Sequence, residues 1–299
     1  MKMPPLIRHP IGFLEFAEKP TKEELAQYYA EAYYQDDQAY YQKQYPTDEL
    51  QHLTAKIWQK ATLANQLWGL EKPGSVLDVG CGQGYALDRW RQMGWQIKGL
   101  EHGLTGVRHC NPHLLDDIEE GDLFDSLARH IDGGETYDIV WLTNVLEHVI
   151  TPVELMQSLT KLVKQDGIVV VSVPNDGSRF HQLLEERELI NRPFWQAYPD
   201  HLSYFDSDSL RAICNATGWQ VIDMISDFPV DMYLAHPGSN YLDNRDNGKA
   251  AHKVRVMMEN MIDEKGTDAA NDFYRALAGV GLGRNLTVFL RLQESVQDG

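Results

Sequence analysis

Only three cysteines occur in 299 residues, Cys81, Cys110 and Cys214, and they lie far apart. An odd, low count builds no disulfide framework and fits a reducing cytoplasm, which is the expected location. No apolar run approaches the roughly 20 residues that span a bilayer. The opening MKMPPLIRHPIGFLEF lacks the continuous apolar stretch of a signal peptide. Positive charge is scarce too: 27 Lys and Arg stand against 44 Asp and Glu, a formal net charge of −17, with no basic run. A partner held through its phosphates calls for the opposite balance. Membrane and nucleic acid are therefore not expected as partners, and a small molecule is. Internal repeats and low-complexity tracts are absent as well. What the chain does have is core material. Seven Trp, fourteen Tyr and nine Phe argue against disorder, and the length suits one large domain with an appendage.

The first 70 residues read as helices. Thr21 with Glu24 has the spacing of a capping box, followed by Leu25, Tyr28, Tyr29 and Ala32 at helical intervals. Leu50, Leu53, Ile57, Ala61, Ala64 and Trp68 share one face of a second helix opened by Thr47 after Pro46. The pattern then changes. Strands are expected at 75–79, 95–101, 137–143, 167–173, 219–225 and 286–292, with a weaker one near Ile118. Helices are expected to run through Trp90, over 152–163 and over 206–217. Strands alternating with helices imply an α/β fold with a doubly wound, mostly parallel sheet. Two connections, 174–205 and 227–284, are too long to be turns. The second carries helical runs near 249–264 and 267–278. The expected division is a helical cap over 1–70, a Rossmann-like core over 71–226, a helical insertion over 227–284 serving as lid or dimer contact, and a last core strand and tail over 285–299. A homodimer is compatible with this plan.

The most informative stretch is Val76-Leu77-Asp78-Val79-Gly80-Cys81-Gly82-Gln83-Gly84. A buried strand delivers three alternate glycines into a helix start. Glycines let the backbone turn sharply and approach a ligand closely, and ligands of open α/β sheets sit beyond the carboxyl end of such a strand. Tyr85 stands where the dinucleotide fingerprint has its third glycine, and no Gly-Lys-Ser/Thr follows, which excludes a phosphate-cradling P-loop.

VLDVGCGQG resembles the first motif of the class I S-adenosylmethionine (SAM) dependent methyltransferases, small-molecule branch, which includes ubiquinone-biosynthesis-like O-methyltransferases. Glu101 closing the second strand, Gly121-Asp122-Leu123 and Asn144 match later motifs in order, over roughly residues 70–225. The resemblance implies a seven-stranded sheet with an antiparallel last strand. It also implies SAM as cofactor and S-adenosylhomocysteine (SAH) as product. Gly80, Cys81 and Gly82 would lie along the methionine part, with Asp78 acting indirectly on its amino group. Glu101 would accept from the ribose hydroxyls, with His102 beside it. Asp122 would accept from the adenine amino group next to Leu123, and Asn144 would offer its carbonyl to the ammonium end. Each acid alone also reads as a capped turn or a solvated carboxylate.

Asn144-Val145-Leu146-Glu147-His148 resembles the ubiquinone enzymes' segment whose Glu, then Glu-His, holds a divalent metal. Here the first Glu is Asn144, a poorer ligand for a hard cation, so no metal site is expected. His148 reads as a base or substrate contact, or equally as a helix-start histidine bonded to backbone. Pro199-Asp200-His201-Leu202-Ser203-Tyr204-Phe205 resembles a segment of methyltransferases acting on sugars, lipids and natural products. An alcohol acceptor must lose a proton, which suits a histidine. His201 is the first choice for that base, with Asp200 orienting it; the competing reading is that His201 ties the loop down. Trp195 and Tyr198 line an acceptor pocket or pack the loop. Half of the tyrosines fall between Tyr28 and Tyr45; one or two of Tyr33, Tyr40 and Tyr41 are candidates for touching cofactor or substrate, and most read as phenol rings packed on the core by an amphipathic helix. Gly279, Gly281 and Gly283 read as a helix stop and a lead-in to the last strand. His109-Cys110 and His113 lack a second ligand pair for structural zinc. The expected activity is methylation of a small molecule, most of all at oxygen of a sugar or secondary metabolite. N- or C-methylation, a ubiquinone-type catechol O-methyltransferase and a non-catalytic SAM-binding subunit are the alternatives.

Overall fold

The computed structural model describes residues 3–28, 45–69 and 72–293. The N-terminal segment does not begin as a helix. Strands β1 (Leu6–Arg8) and β2 (Leu14–Phe16) pair antiparallel as a hairpin. Pro10 and Gly12 break any helical run between them, and strands of three residues are too short to display a period of two. The expected capping box follows: the Thr21 N–H donates to Glu24 at 2.9 Å, and the Glu24 N–H donates to the Thr21 hydroxyl at 3.2 Å. It opens helix α1 (Lys22–Tyr28). Helix α2 (Thr47–Trp68) starts where Pro46 predicts. Tyr29, Ala32, Tyr33, Tyr34, Tyr40 and Tyr41 lie outside the described residues.

The core runs β3 (Ser75–Val79), α3 (Tyr85–Gln92), β4 (Gln96–Glu101), α4 (Thr105–Cys110), β5 (Ile118–Glu120), α5 (Leu123–Asp132), β6 (Tyr137–Thr143), α6 (Pro152–Leu159) and β7 (Val163–Pro174), with the expected strands and with α4 and α5 as helices the sequence reading did not place. Helix α6 stops at Leu159, short of the expected Val163, because the chain turns at Thr160 and enters β7 at Val163. The 174–205 connection holds α7 (Arg179–Glu186), which the sequence reading missed, and β8 (Ser203–Tyr204). Then come α8 (Ser207–Ala216), β9 (Trp219–Ser226), α9 (Arg245–Asp263), α10 (Thr267–Gly279) and β10 (Asn285–Leu292). The glycines 279–283 do form the helix stop and lead-in to β10.

The sheet order is β5-β4-β3-β6-β7-β10-β9. Neighbours from β5 to β7 are parallel, and β10 is antiparallel to both β7 and β9. Strand burial alternates by face. Val76, Ile139, Trp141, Ile168 and Val170 pack under α2, α3 and α10. Leu77, Val140, Leu142, Val169 and Val171 pack under α5, α6 and α8. The chain leaves β3 for β4 on one side and reaches β6 on the other. The loops after β3 and β6 therefore diverge and leave a crevice at the carboxyl edge, where open α/β sheets bind ligands.

Two features tie the appendages to that edge. Strand β2 pairs with β8, so the hairpin grips the chain immediately after His201. Phe16, Trp195 and Tyr204 bury together there, with Tyr198 edge-on to Phe16 at 4.9 Å. Trp195 and Tyr198 thus pack the loop. The insertion packs α9 on α2 through buried charge. Glu259 lies 3.1 Å from Arg255, 3.5 Å from Lys56 and 3.4 Å from His52. Burial disfavours its carboxylate, but Lys56 and Arg255 outweigh burial and hold its pKa well below the usual range.

Burial lowers the His52 pKa from 6.5 to about 4, against the pull of Glu259. A depressed pKa contributes stability that is present above pH 6.5 and is lost as pH falls toward 4. His52→Gln should flatten that part of the profile, so urea midpoints at pH 7 and pH 5 should differ less in the variant than in the wild type.

Candidate functional site

Strand β3 ends in the glycine loop, where Gly80 and Gly82 have φ of 75° and 56°. These left-handed values favour glycine. Gly80 also has no room for a side chain, since a Cβ there would come 2.5 Å from Cγ2 of Val145 on the loop after β6. The Gly80 and Cys81 N–H groups donate to the Leu100 carbonyl at 2.8 and 3.1 Å, which seats the loop against β4. Glu101 ends β4 with its carboxylate turned back on the loop. One oxygen accepts from the Gly82 N–H at 2.6 Å and the other from the His102 N–H at 2.9 Å. Burial raises its pKa, and these backbone donors oppose the rise.

A cavity of about 460 Å³ opens over this loop, within the range usual for small-molecule sites. Gly80, Gly82, Glu101, His102, Asp122, Leu123 and Asn144 all line it, so seven of the nine residues expected to touch a cofactor meet at one surface. The other two, Asp78 and Cys81, are not among its lining residues. Cys81 is buried in an apolar cluster with Leu87, Leu104 and Ile118. Asp78 is buried beneath the loop, and its Oδ1 has no hydrogen-bond partner among the described residues. Burial, with Glu101 nearby, pushes its pKa well up. Asp122 caps α5 by accepting from the Asp125 N–H at 3.0 Å, so it serves as a helix cap and as cavity wall at once. The cavity wall also includes Leu25, read from sequence only as a helix-face residue, and Lys22, Phe124, Ile150 and Glu154, which sequence reasoning did not single out because no motif marks them.

Asn144 takes φ 55°, uncommon for a residue with a side chain, as the chain leaves β6. Four residues on, His148 reaches the same cavity. Its Nδ1 lies 2.8 Å from the Asp200 backbone carbonyl and 3.3 Å from the Asp200 carboxylate; its Nε2 lies 3.7 Å from Glu147. Burial works against the imidazolium, but Glu147 and Asp200 outweigh it and raise the pKa to about 9. The His201 ring meets His148 edge to face, centroids 4.8 Å apart. His201 itself is not among the cavity's lining residues. Its Nδ1 is 3.6 Å from Asp176, and its Nε2 is 3.8 Å from Asp200. The carboxylate nearest to His201 is therefore Asp176, from the end of β7, and Asp200 is engaged mainly with His148. Asp176 was missed because nothing in sequence spacing links it to His201.

Glu147, His148 and His201 bring ligand atoms within 4.8 Å of one another, the one such grouping of three among the described residues. Spacing along 144–148 could not show this, because His201 arrives from another connection. Two imidazoles and a carboxylate suit zinc, manganese or iron rather than magnesium, and His148 must first give up its proton to ligate. His109 and His113 separate instead, onto Thr105 and Asp88.

The raised pKa of His148 has a direct check. In wild-type protein its ring should titrate near pH 9 by NMR. Asp200→Asn should lower that value by roughly one unit or more. Stability contributed by the charged pair should be full below pH 6.5 and lost as pH rises through 9.

Comparison with known proteins follows the same lines. The "Ubiquinone biosynthesis O-methyltransferase" of Aliivibrio fischeri is 34% identical over 114 residues, 38% of this chain and 47% of its own. The protein of the same description from Vibrio cholerae is 35% identical over 114 residues, 38% of this chain and 45% of its own. The alignment thus spans under half the length of these curated relatives. A crystal structure of a SAM dependent methyltransferase from Archaeoglobus fulgidus superposes with a TM-score of 0.51 over 82% of this chain and 94% of that one, at 16% identity, a likeness of fold. The family model described as "Methyltransferase domain" matches residues 41–224. That stretch takes in the glycine loop, Glu101, Asp122, Asn144, His148 and His201, and the chain therefore belongs to the methyltransferase family, with its sheet built as the class I SAM-dependent fold.

Proposed function

We propose that the protein transfers a methyl group from SAM to an oxygen of a small-molecule acceptor, a hydroxyl of a sugar or other secondary metabolite. One observation carries the reading: the cavity lined by Gly80, Gly82, Glu101, Asp122 and Asn144 is also lined by His148, against which His201 is packed. A cofactor half and a proton-handling half meet at one surface. Bound SAM supplies an electrophilic methyl on a sulfonium, so the chemistry needs alignment and a place for the acceptor's proton.

The chain's own groups fit those needs. Gly80 and Glu101 line the cavity, where Gly80 would lie along the methionine part and Glu101 would accept from the ribose hydroxyls. Asp122 and Leu123 bound the adenine end, and Asn144 offers an amide carbonyl to the amino group. His148, held as a cation by Glu147 and Asp200, donates a hydrogen bond to the acceptor oxygen and makes its proton easier to lose. His201 takes that proton as the new O–C bond forms and the C–S bond breaks. The resulting imidazolium is flanked by Asp176 and Asp200.

A second reading has specific support. The Glu147, His148 and His201 grouping can hold a divalent cation, and the curated relatives carry the ubiquinone O-methyltransferase description. A catechol would then be the acceptor.

Calorimetry should give micromolar SAH binding in the wild type. Glu101→Ala and Gly80→Ala should each weaken it by more than tenfold, the latter because its Cβ meets Val145. Label from SAM should then be followed into a hydroxylated sugar nucleotide and into 3,4-dihydroxybenzoate, with and without chelator. His201→Asn should slow transfer by about 10²–10⁴-fold while leaving SAH affinity intact. Loss of activity on chelation selects the metal-assisted reading, and SAH binding without transfer to any acceptor overturns both.

A further inference from the structure

The helical insertion reaches the histidine pair through one arginine. Arg284 lies in the turn between α10 and β10, and its guanidinium pairs with the Oδ1 of Asp176. Its Nε stands 3.9 Å from Oδ2 of Asp231, a residue of the insertion. Asp231 is itself fixed: His181 Nε2 lies 2.8 Å from its Oδ2, and the Tyr241 hydroxyl donates to its Oδ1 at 2.5 Å. Backbone bonds hold the two ends in register. The Asn175 N–H donates to the Arg284 carbonyl at 2.9 Å, and the Asn175 side-chain amide donates to the Gly281 and Gly283 carbonyls at 3.1 and 3.0 Å.

Both members of the central pair are buried and charged. Burial opposes the guanidinium, but Asp176 and Asp231 outweigh it and hold its pKa above the usual value. Burial likewise opposes the Asp176 carboxylate, and Arg284 outweighs it and keeps its pKa low. A buried pair of this kind contributes little net stability. It does fix where each oxygen points. Oδ1 of Asp176 is committed to Arg284, and Oδ2 is left facing Nδ1 of His201 at 3.6 Å, an ion-pair approach just beyond hydrogen-bond distance to a buried nitrogen that has no hydrogen-bond partner among the described residues.

We propose that Asp176, locked by Arg284 onto Asp231, is the positioning residue of His201: it holds the Nδ1–H tautomer and leaves Nε2 to receive the acceptor's proton. The inference rests on the reading of His201 as the base, and it makes the insertion before the last strand part of the catalytic apparatus. The two carboxylates divide the work. Asp200 serves His148 through its carbonyl and Oδ1, and Asp176 serves His201. The other groups facing His201 are His148, Glu147 and the Oδ2 of Asp200.

The test uses the full chain, saturated with SAH, with ¹⁵N-labelled histidine and the His201 signals assigned by His201→Asn. Wild-type His201 should carry its proton on Nδ1. In Asp176→Asn the arginine still demands an oxygen, so the new amide presents its NH₂ to His201 and Nδ1 must become the acceptor. The ring should switch to the Nε2–H tautomer. With the hydroxylated sugar nucleotide as probe, kcat should fall about 10²-fold or more while KM for SAM changes less than about twofold. Arg284→Lys retains the charge and loses the fork, and should give a mixed tautomer; it decides the question if Asp176→Asn does not bind SAH. An unchanged Nδ1–H tautomer in the variants that bind SAH overturns the proposal. A switched tautomer with undiminished methyl transfer upholds Asp176 as the positioner and removes His201 as the base, so the earlier reading then fails alone.

Discussion

The two halves of the site are held together by a contact between loops from neighbouring parallel strands. Val145, just after β6, occupies the space that a side chain on Gly80, just after β3, would need. Strands β3 and β6 are adjacent because the chain reverses direction across the sheet between them. That close approach brings Asn144 and His148 to the same cavity wall as Gly82 and Glu101. The glycine loop and the histidine pair are thus not independent. The absence of a Cβ on one loop sets how closely the other can lie, and hence where His148 stands relative to anything the glycines hold.

Charge at this edge is governed by burial answered by partners. For Asp78, Glu101 and Glu147 burial prevails, at Glu147 even against His148 and His201, and their pKa values rise. Asp176, Asp231 and Asp200 are buried against cations or histidines, and theirs fall. The same acidic residue type therefore serves two purposes in a protein of net charge −17. Beneath the glycine loop it is biased toward the neutral form, and Asp200 beside His148 stabilises imidazolium. The charged clusters also work as connectors. The pairing of Arg284 with Asp176 joins the insertion to the end of β7, and the cluster around Glu259 joins it to α2.

Much of this was legible in the chain. The core strands alternate apolar residues or run continuously apolar between turn formers, so β3, β4, β6, β7, β9 and β10 fall where periodicity predicts. The glycine spacing, Glu101, Asp122 and Asn144 follow one another in a recognisable order, and all line the cavity. The misses share a cause. The hairpin of β1 and β2 is two three-residue strands whose partner, β8, lies far along the chain. Helix α7 is short and sits within an irregular connection. Elements like these are stabilised by what they touch, and a local window carries little trace of it.

By itself the sequence determined the sheet and its glycine-lined carboxyl edge, because local hydrophobic period and glycine chemistry act within a few residues, and the order of its motifs, by resemblance, pointed to seven residues that line the cavity there. Tertiary structure alone decided the pairing of His201 with His148, the assignment of Asp200 to one ring and Asp176 to the other, and the reach of Arg284 from the insertion. Those are contacts between segments remote in sequence, and the directions in which buried carboxylates point are set only when the chain has closed around them.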